Sequence, residues 1–359
     1  MIKKSIKPLL CCGLFIVLSL PHLSCRSPGS NSATLGEVDG TRANEGAPQI
    51  VRFTVLLDKL DKEMKGLAPK DAADRLVAGN ARETAFSLQA LGRIYESLDP
   101  QFSVIRKKFK RLEDGIGDYA KWVELLGKGQ INNASAAVLE KLQKKRDAAL
   151  IEMEKMLKDS EFVPADTAEI AYIQSLRNFL TAYKWRDAAT DRQDMLAYLR
   201  NELEMIKTTR YDFSHLENGE GVHEFRRKMR WIPMEAKALN GMVTLKPTSV
   251  GCPIPIYASV VKDGVAKSKY GVLPSSANEL NSITLTPCLY VQIAKLVDVV
   301  GAIKGDIEEE DNNTTAGAAL DSVKPADQAA VQKILDDTLS TNLFGLLQAE
   351  LVQAPTNAK

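Results

Sequence analysis

Apolar residues along most of this chain recur at every third or fourth position, the spacing that places them on one face of an α-helix. In segment 52–65, for example, Phe53, Leu56, Leu57, Leu60 and Met64 follow this spacing. The pattern repeats over 83–98, and the dipeptide Asp99-Pro100 ends it. Further helices are predicted at 71–78, 102–115, 118–126, 135–158, 166–180, 192–207, 289–303 and 326–353. The sequence therefore predicts an all-α, multi-helix bundle.

Two segments interrupt this helical pattern. Segment 244–287 is rich in Pro and Gly and contains short β-favouring runs such as 256–261. We expect an irregular insertion there, with a small β-hairpin that turns at Asp263-Gly264. An acidic stretch rich in Asn and Thr, 306–315, is predicted to be a loop.

The N-terminus has the pattern of a secretory signal peptide. Lys3, Lys4 and Lys7 precede an uncharged apolar run, 9–20, which ends at Pro21. A membrane-spanning helix needs roughly 20 apolar residues, so this run is too short for a permanent anchor. Residues 1–24 are therefore predicted to direct export.

A cysteine at the end of the predicted signal peptide is a candidate site of lipidation. Ser24-Cys25 resembles the cleavage box of bacterial lipoproteins, although His22 stands where such boxes usually have Leu. Ordinary signal-peptide cleavage is the alternative. Residues 25–48 are rich in Ser, Gly and Asn and predict a flexible tether. We expect a lipid-anchored protein on the periplasmic side of a bacterial membrane.

Charge is nearly balanced, with 47 Lys and Arg against 46 Asp and Glu. This balance argues against nucleic acid as a partner, and any affinity for anions must come from local clusters. Beyond the leader and tether, roughly 310 residues remain, enough for one large or two moderate domains. We divide them into an N-terminal half, 49–210, and a C-terminal half, 211–353, which contains the insertion.

Two cysteines, Cys252 and Cys288, lie beyond the leader and tether. In an oxidising periplasm they could form a disulfide across 36 residues. Two buried free thiols are the alternative.

Catalytic and metal-binding motifs are scarce. The mature sequence has His215 and His223 as its histidines and lacks CxxC, HExxH, GxSxG and P-loop patterns. We therefore predict no metal site, no cofactor and no enzymatic activity.

A stripe of basic residues is predicted on the helix over 221–232. His223, Arg226, Arg227 and Arg230 are spaced three, four and seven apart, which places them on one face. Guanidiniums grouped in this way are suited to phosphate oxygens, which they bind in pairs. Lys107, Lys110 and Arg111 belong to a second basic cluster. Salt bridges on a solvated surface are the alternative for both clusters.

Segment 222–232 resembles the signature of the CHAD family, the conserved histidine α-helical domain, in which a Val-His-x-x-Arg run continues into further arginines. His223, Arg226 and Arg230 match that motif. A later basic segment of the family is similar to 107–118, where the matching residues are Lys107, Lys110 and Arg111. The two segments stand here in reverse order. Residues 49–210 contain no histidine, although Arg82 and Arg93 are present.

The resemblance implies a helical bundle of two related halves, with a basic groove or channel that binds polyphosphate without catalysis. It predicts His223, Arg226, Arg230, Lys107, Lys110 and Arg111 as anion-binding residues, and the basic stripe adds Arg227. The other hypothesis is a structural or protein-interaction lipoprotein of the cell envelope. In that case the arginines would pair with carboxylates.

Overall fold

The computed structural model of this chain describes residues 47–163, 170–212, 221–247, 251–275, 282–316 and 326–352, without the side chains of 303–316 and 326–328. The predicted signal peptide, Cys25, most of the tether and His215 lie outside these ranges. Their predictions concern parts of the chain that the structure does not describe.

The all-α expectation is confirmed, because helices make up most of the described chain. Side-chain caps and prolines mark several helix starts: Pro48 and Pro69 occupy first turns, and the Asp187 carboxylate accepts from two backbone amides. The helices are α1 Pro48–Met64, α2 Pro69–Ala78, α3 Ala81–Glu96, α4 Ser103–Ile131, α5 Ala136–Asp159, α6 Ala171–Ala182, α7 Ala188–Thr208, α8 Val222–Ala238, α9 Pro287–Ala316, α10 Ala326–Ser340 and α11 Leu343–Val352.

Three predicted segments are joined or divided differently in the structure. The segments 102–115 and 118–126 form one helix, α4, which continues through Gly115 and Gly117. The stretch 306–315 belongs to α9, so the predicted loop is wrong; extending an existing helix is easier than starting one, and Glu is a good helix former. The last predicted helix is divided at Asn342, whose φ of 54° lies in the left-handed region.

The predicted hairpin at Asp263-Gly264 is also wrong. Gly264 begins a 3₁₀ turn, Gly264–Lys267, and 3₁₀ turns also occur at Pro255–Tyr257 and Val260–Lys262. The described strands, β1 Val243–Leu245 and β2 Ile283–Leu285, lie at the two ends of the insertion and pair in parallel. Parallel strands need a crossover rather than a two-residue turn, and the intervening residues provide it.

The structure joins Cys252 and Cys288 in a disulfide, with their Cα atoms 5.9 Å apart. Of the two alternatives left open by the sequence, the free thiols are therefore excluded. The bond fastens the start of the insertion to the first turn of α9.

A continuous hydrophobic core lies within one compact unit and includes residues from both predicted halves. At one crossing α3 and α4 touch through their backbones. A Cβ added to Gly92 would lie 2.6 Å from the amide nitrogen of Arg106, a distance that side chains do not tolerate. Gly92 therefore permits the close approach of these two helices.

None of the helices in the described part of the chain is long and apolar enough to cross a membrane.

Candidate anion-binding groove

An open groove with a volume of about 1340 Å³ lies between α3, α4 and α8. Lys269 and Tyr270 of the insertion and Ala302 of α9 also line it. Eleven lysines and arginines line it against six aspartates and glutamates. We call it the basic groove. Its cationic residues are Arg82, Arg93, Arg106, Lys110, Lys121, Lys128, Arg226, Arg227, Lys228, Arg230 and Lys269, together with His223.

The basic stripe predicted on α8 faces this groove. His223, Arg226, Arg227 and Arg230 all line it. On the opposite side of α8, Phe225 and other apolar residues are buried in the core. The helical period explains this division, because residues three and four apart share a face.

The second predicted cluster is only partly in the groove. Lys110 lines it, whereas Lys107 and Arg111 are exposed and are not among the lining residues. Each is one position beyond a lining residue of α4, Arg106 or Lys110, and one residue turns a helix by about 100°. The structure thus brings Lys110 together with the α8 stripe and leaves Lys107 and Arg111 outside.

Part of the cationic lining is neutralised by neighbouring carboxylates. Arg227 forms a salt bridge with Glu224 one helical turn away. Lys110 forms a salt bridge with Asp114 and lies 3.9 Å from a carboxylate oxygen of Glu113. Such exposed pairs contribute little free energy, so a ligand can displace them at small cost.

Arg226 and Arg230 differ from these residues, because within the described ranges neither forms a salt bridge. Arg226 donates from Nε to the carbonyl of Val297 at 3.4 Å. The Nε of Arg230 is buried and has no acceptor among the described residues. Burial lowers the pKa of Arg230, and Arg226 and Arg82 lower it further. Tyr270 and Glu113 oppose this lowering. A buried donor without an acceptor, such as this Nε, costs free energy unless a ligand or water supplies the acceptor.

Aromatic rings hold the floor of the groove in place. The Arg230 guanidinium lies 4.4 Å from the centroid of the Phe86 ring, and Phe86 stacks on Trp231 with centroids 4.5 Å apart. The Arg93 guanidinium lies 4.7 Å from the centroid of Trp231. Each of the two stacked rings therefore has one guanidinium against it, an arrangement favoured by cation–π attraction.

Beneath this floor lies a buried acidic group. Arg93 donates to Glu202 at 2.6 Å and to Glu235 at 3.0 Å, and the Tyr198 hydroxyl donates to Glu235 at 2.7 Å. Burial raises the pKa of Glu235 to about 8, and the nearby Arg93 opposes this rise. Both carboxylates thus contact Arg93, and burial is the main cause that holds the pKa of Glu235 above its ordinary value.

Sequence reasoning did not select Arg82, Lys121 or Lys128 as site residues. Arg82 lies on α3 and donates to Glu113 at 2.8 Å. Lys121 and Lys128 are seven residues apart on α4, a spacing that places them on one face with Lys110. That spacing was a usable signal, whereas the position of Arg82 depends on how α3 packs against α8.

Comparison with protein families, characterised proteins and solved structures gives no match. Within the described residues, no group of three or more His, Cys, Asp or Glu side chains could hold a metal ion. The groove is thus described by its own chemistry, which is an excess of lysine and arginine over aspartate and glutamate.

Proposed function

We propose that this protein binds a polyanion in the basic groove and does not catalyse a reaction. The observation that carries the proposal is the pair Arg226 and Arg230, which have no salt bridge within the described ranges and line a groove with excess positive charge. Guanidiniums bind phosphate oxygens through paired, charge-assisted hydrogen bonds. An anion would thus supply the missing counter-charge.

The length of the groove favours an extended ligand. Its lining on α4 runs from Arg106 to Lys128, which corresponds to about 33 Å at the rise of an α-helix. Several phosphate groups in a row fit this span better than a single compact anion. The resemblance of 222–232 to the CHAD signature further favours polyphosphate among such chains.

The proposed setting is outside the cytoplasm, with the protein attached to a membrane through a lipid on Cys25. The disulfide between Cys252 and Cys288 supports this part of the proposal, because disulfides persist in oxidising compartments. Mass spectrometry of the mature N-terminus tests it. A diacylated Cys25 is expected, and a start at another residue would contradict the lipid anchor.

A second candidate is an envelope scaffold that binds another protein. The salt bridges of Arg227 with Glu224 and of Arg106 with Glu96 favour it, since they neutralise part of the groove. Absence of polyanion binding by the mature protein would favour this candidate.

Calorimetric titration of the mature protein with linear polyphosphate at low salt tests the main proposal. Affinity should fall steeply as salt increases, because bound phosphates release counterions. The double variant Arg226→Ala with Arg230→Ala should abolish most of the binding. Lys110→Ala should weaken it, and the matched variant Lys107→Ala should not, because Lys107 lies outside the groove. Binding unaffected by the double variant would overturn the proposal.

A further inference from the structure

Three arginines from two helices meet at one place in the basic groove. Arg226 and Arg230 are four residues apart on α8, so their side chains are neighbours. Arg82 is four residues before Phe86 on α3, and the Arg230 guanidinium lies over the Phe86 ring. Arg82 and Arg226 both act electrostatically on Arg230. We call Arg82, Arg226 and Arg230 the arginine cluster.

Glycines make room for two of these guanidiniums. A Cβ added to Gly117 of α4 would lie 2.7 Å from the Cζ of Arg82, and one added to Gly301 of α9 would lie 2.7 Å from the Nε of Arg226. Glycine inside a helix costs stability relative to alanine. Here it lets both guanidiniums lie directly against neighbouring helices.

The charges around the cluster do not cancel. Lys269 and Lys110 add two cations, and three carboxylates interact with these groups. Glu113 binds Arg82 and lies 3.9 Å from Lys110, Asp114 pairs with Lys110, and Asp298 interacts with Arg226 and Lys269. Five positive charges therefore face three negative ones. The excess is two, and the buried Nε of Arg230 still has no acceptor within the described ranges.

We infer that the arginine cluster selects a dianionic phosphate group, meaning a phosphomonoester or the end of a phosphate chain, over the monoanionic groups inside the chain. This inference rests on the proposed polyanion binding and identifies the part of the ligand that the cluster holds. A phosphomonoester carries close to two negative charges above its second pKa of about 6. A phosphodiester, or a phosphate within a chain, carries one. The dianion thus matches the excess charge.

Two pairs of probes test this inference at pH 8. The first pair is linear polyphosphate with free ends and the same polymer with both ends esterified; the second is phenyl phosphate and diphenyl phosphate. In each pair the free dianion should bind the mature protein about tenfold more tightly, the effect of one additional charged hydrogen bond. The polymers report on a chain end and the small esters on a free monoester.

Two glycine variants test the position of the arginines without changing the charge, and a third is their control. Gly301→Ala and Gly117→Ala should reduce the preference to about twofold or less, because the added methyl displaces Arg226 or Arg82. Gly127→Ala lies on α4 where nothing is within 4 Å of the added Cβ, so the preference should be unchanged. Circular dichroism should show that all three variants are folded.

The outcomes separate this inference from the proposed function. Equal binding of free and esterified polymers would overturn the inference and leave polyanion binding standing. Binding of phenyl phosphate without binding of either polymer would overturn the proposed function and support a monoester site. No binding of any probe would overturn both.

Discussion

The guanidinium of Arg52 donates to the carboxylate of Asp191 at 2.8 Å, with both side chains almost completely buried. This ion pair joins α1 to α7, and the Tyr95 hydroxyl bonds to both partners. Removing one partner leaves an uncompensated buried charge. We expect Asp191→Ala to lower the free energy of unfolding by about 3–5 kcal/mol in urea denaturation.

An exposed ion pair is the control for this experiment. Lys333 and Asp337 lie 3.2 Å apart, and both side chains are more than half exposed. Asp337→Ala should change the free energy of unfolding by less than about 1 kcal/mol. Equal effects of the two substitutions would contradict the structural role of the Arg52–Asp191 pair.

Glu235 should make stability depend on pH. Its pKa is raised from 4.5 to about 8 in the folded protein. Between these values the folded state binds a proton that the unfolded state does not. Stability should therefore fall as pH rises from about 4.5 to 8, by at most about 1.4 kcal/mol per pH unit.

Glu235→Gln isolates this effect, because the amide resembles a protonated carboxyl group and does not titrate. Urea midpoints should be measured for both proteins from pH 5 to pH 9. The variant should gain stability relative to the natural protein as pH rises. Parallel curves would show that Glu235 does not titrate in this range.

Replacing Arg230 should weaken polyphosphate binding and raise the free energy of unfolding. Arg230→Met removes a half-buried guanidinium whose Nε has no acceptor in the described chain and keeps an apolar side chain against Phe86. We expect the free energy of unfolding to rise by about 1 kcal/mol, since the cost of the unsatisfied donor is removed. Polyphosphate affinity should fall in the same variant.

Arg227→Met is the matched control for Arg230→Met. Arg227 lies in the same groove but is exposed and paired with Glu224. Its replacement should change stability by less than about 0.5 kcal/mol. If Arg230→Met were as destabilising as a core substitution, Arg230 would have a structural role instead.

The disulfide gives a further test. Titration of the denatured, unreduced mature protein should find neither Cys252 nor Cys288 reactive. The double variant Cys252→Ser with Cys288→Ser should lose about 2–4 kcal/mol of stability. Two reactive thiols in the natural protein would refute the bond.

The helical period explains how much of the site could be predicted. It placed His223, Arg226 and Arg230 on one face from the sequence alone, because those positions depend on a single helix. It could not show that Lys110 lines the groove and Lys107 does not. Both residues are polar, and the difference depends on which side of α4 faces α3 and α8. Arg82 is a similar case, because its place in the cluster depends on the stacking of Phe86 on Trp231.

The same reasoning applies to the fold. Apolar spacing identified the helices, and the chemistry of Pro and Gly located the insertion. The pairing of Val243 with Ile283 joins residues far apart in sequence, and no local pattern encodes such a partner. The sequence therefore does not predict the short strands, and the Asp263-Gly264 dipeptide wrongly predicts a hairpin turn.

The contact between Gly92 and the backbone of Arg106 has a consequence for the thermodynamics of binding. Two helices that touch backbone to backbone cannot move closer, and their side chains leave little space for sliding. The walls of the groove are thus held at this crossing before any ligand arrives. Binding to a preorganised surface loses less conformational entropy. We therefore expect that most of the conformational entropy lost on binding is lost by the ligand rather than by the protein.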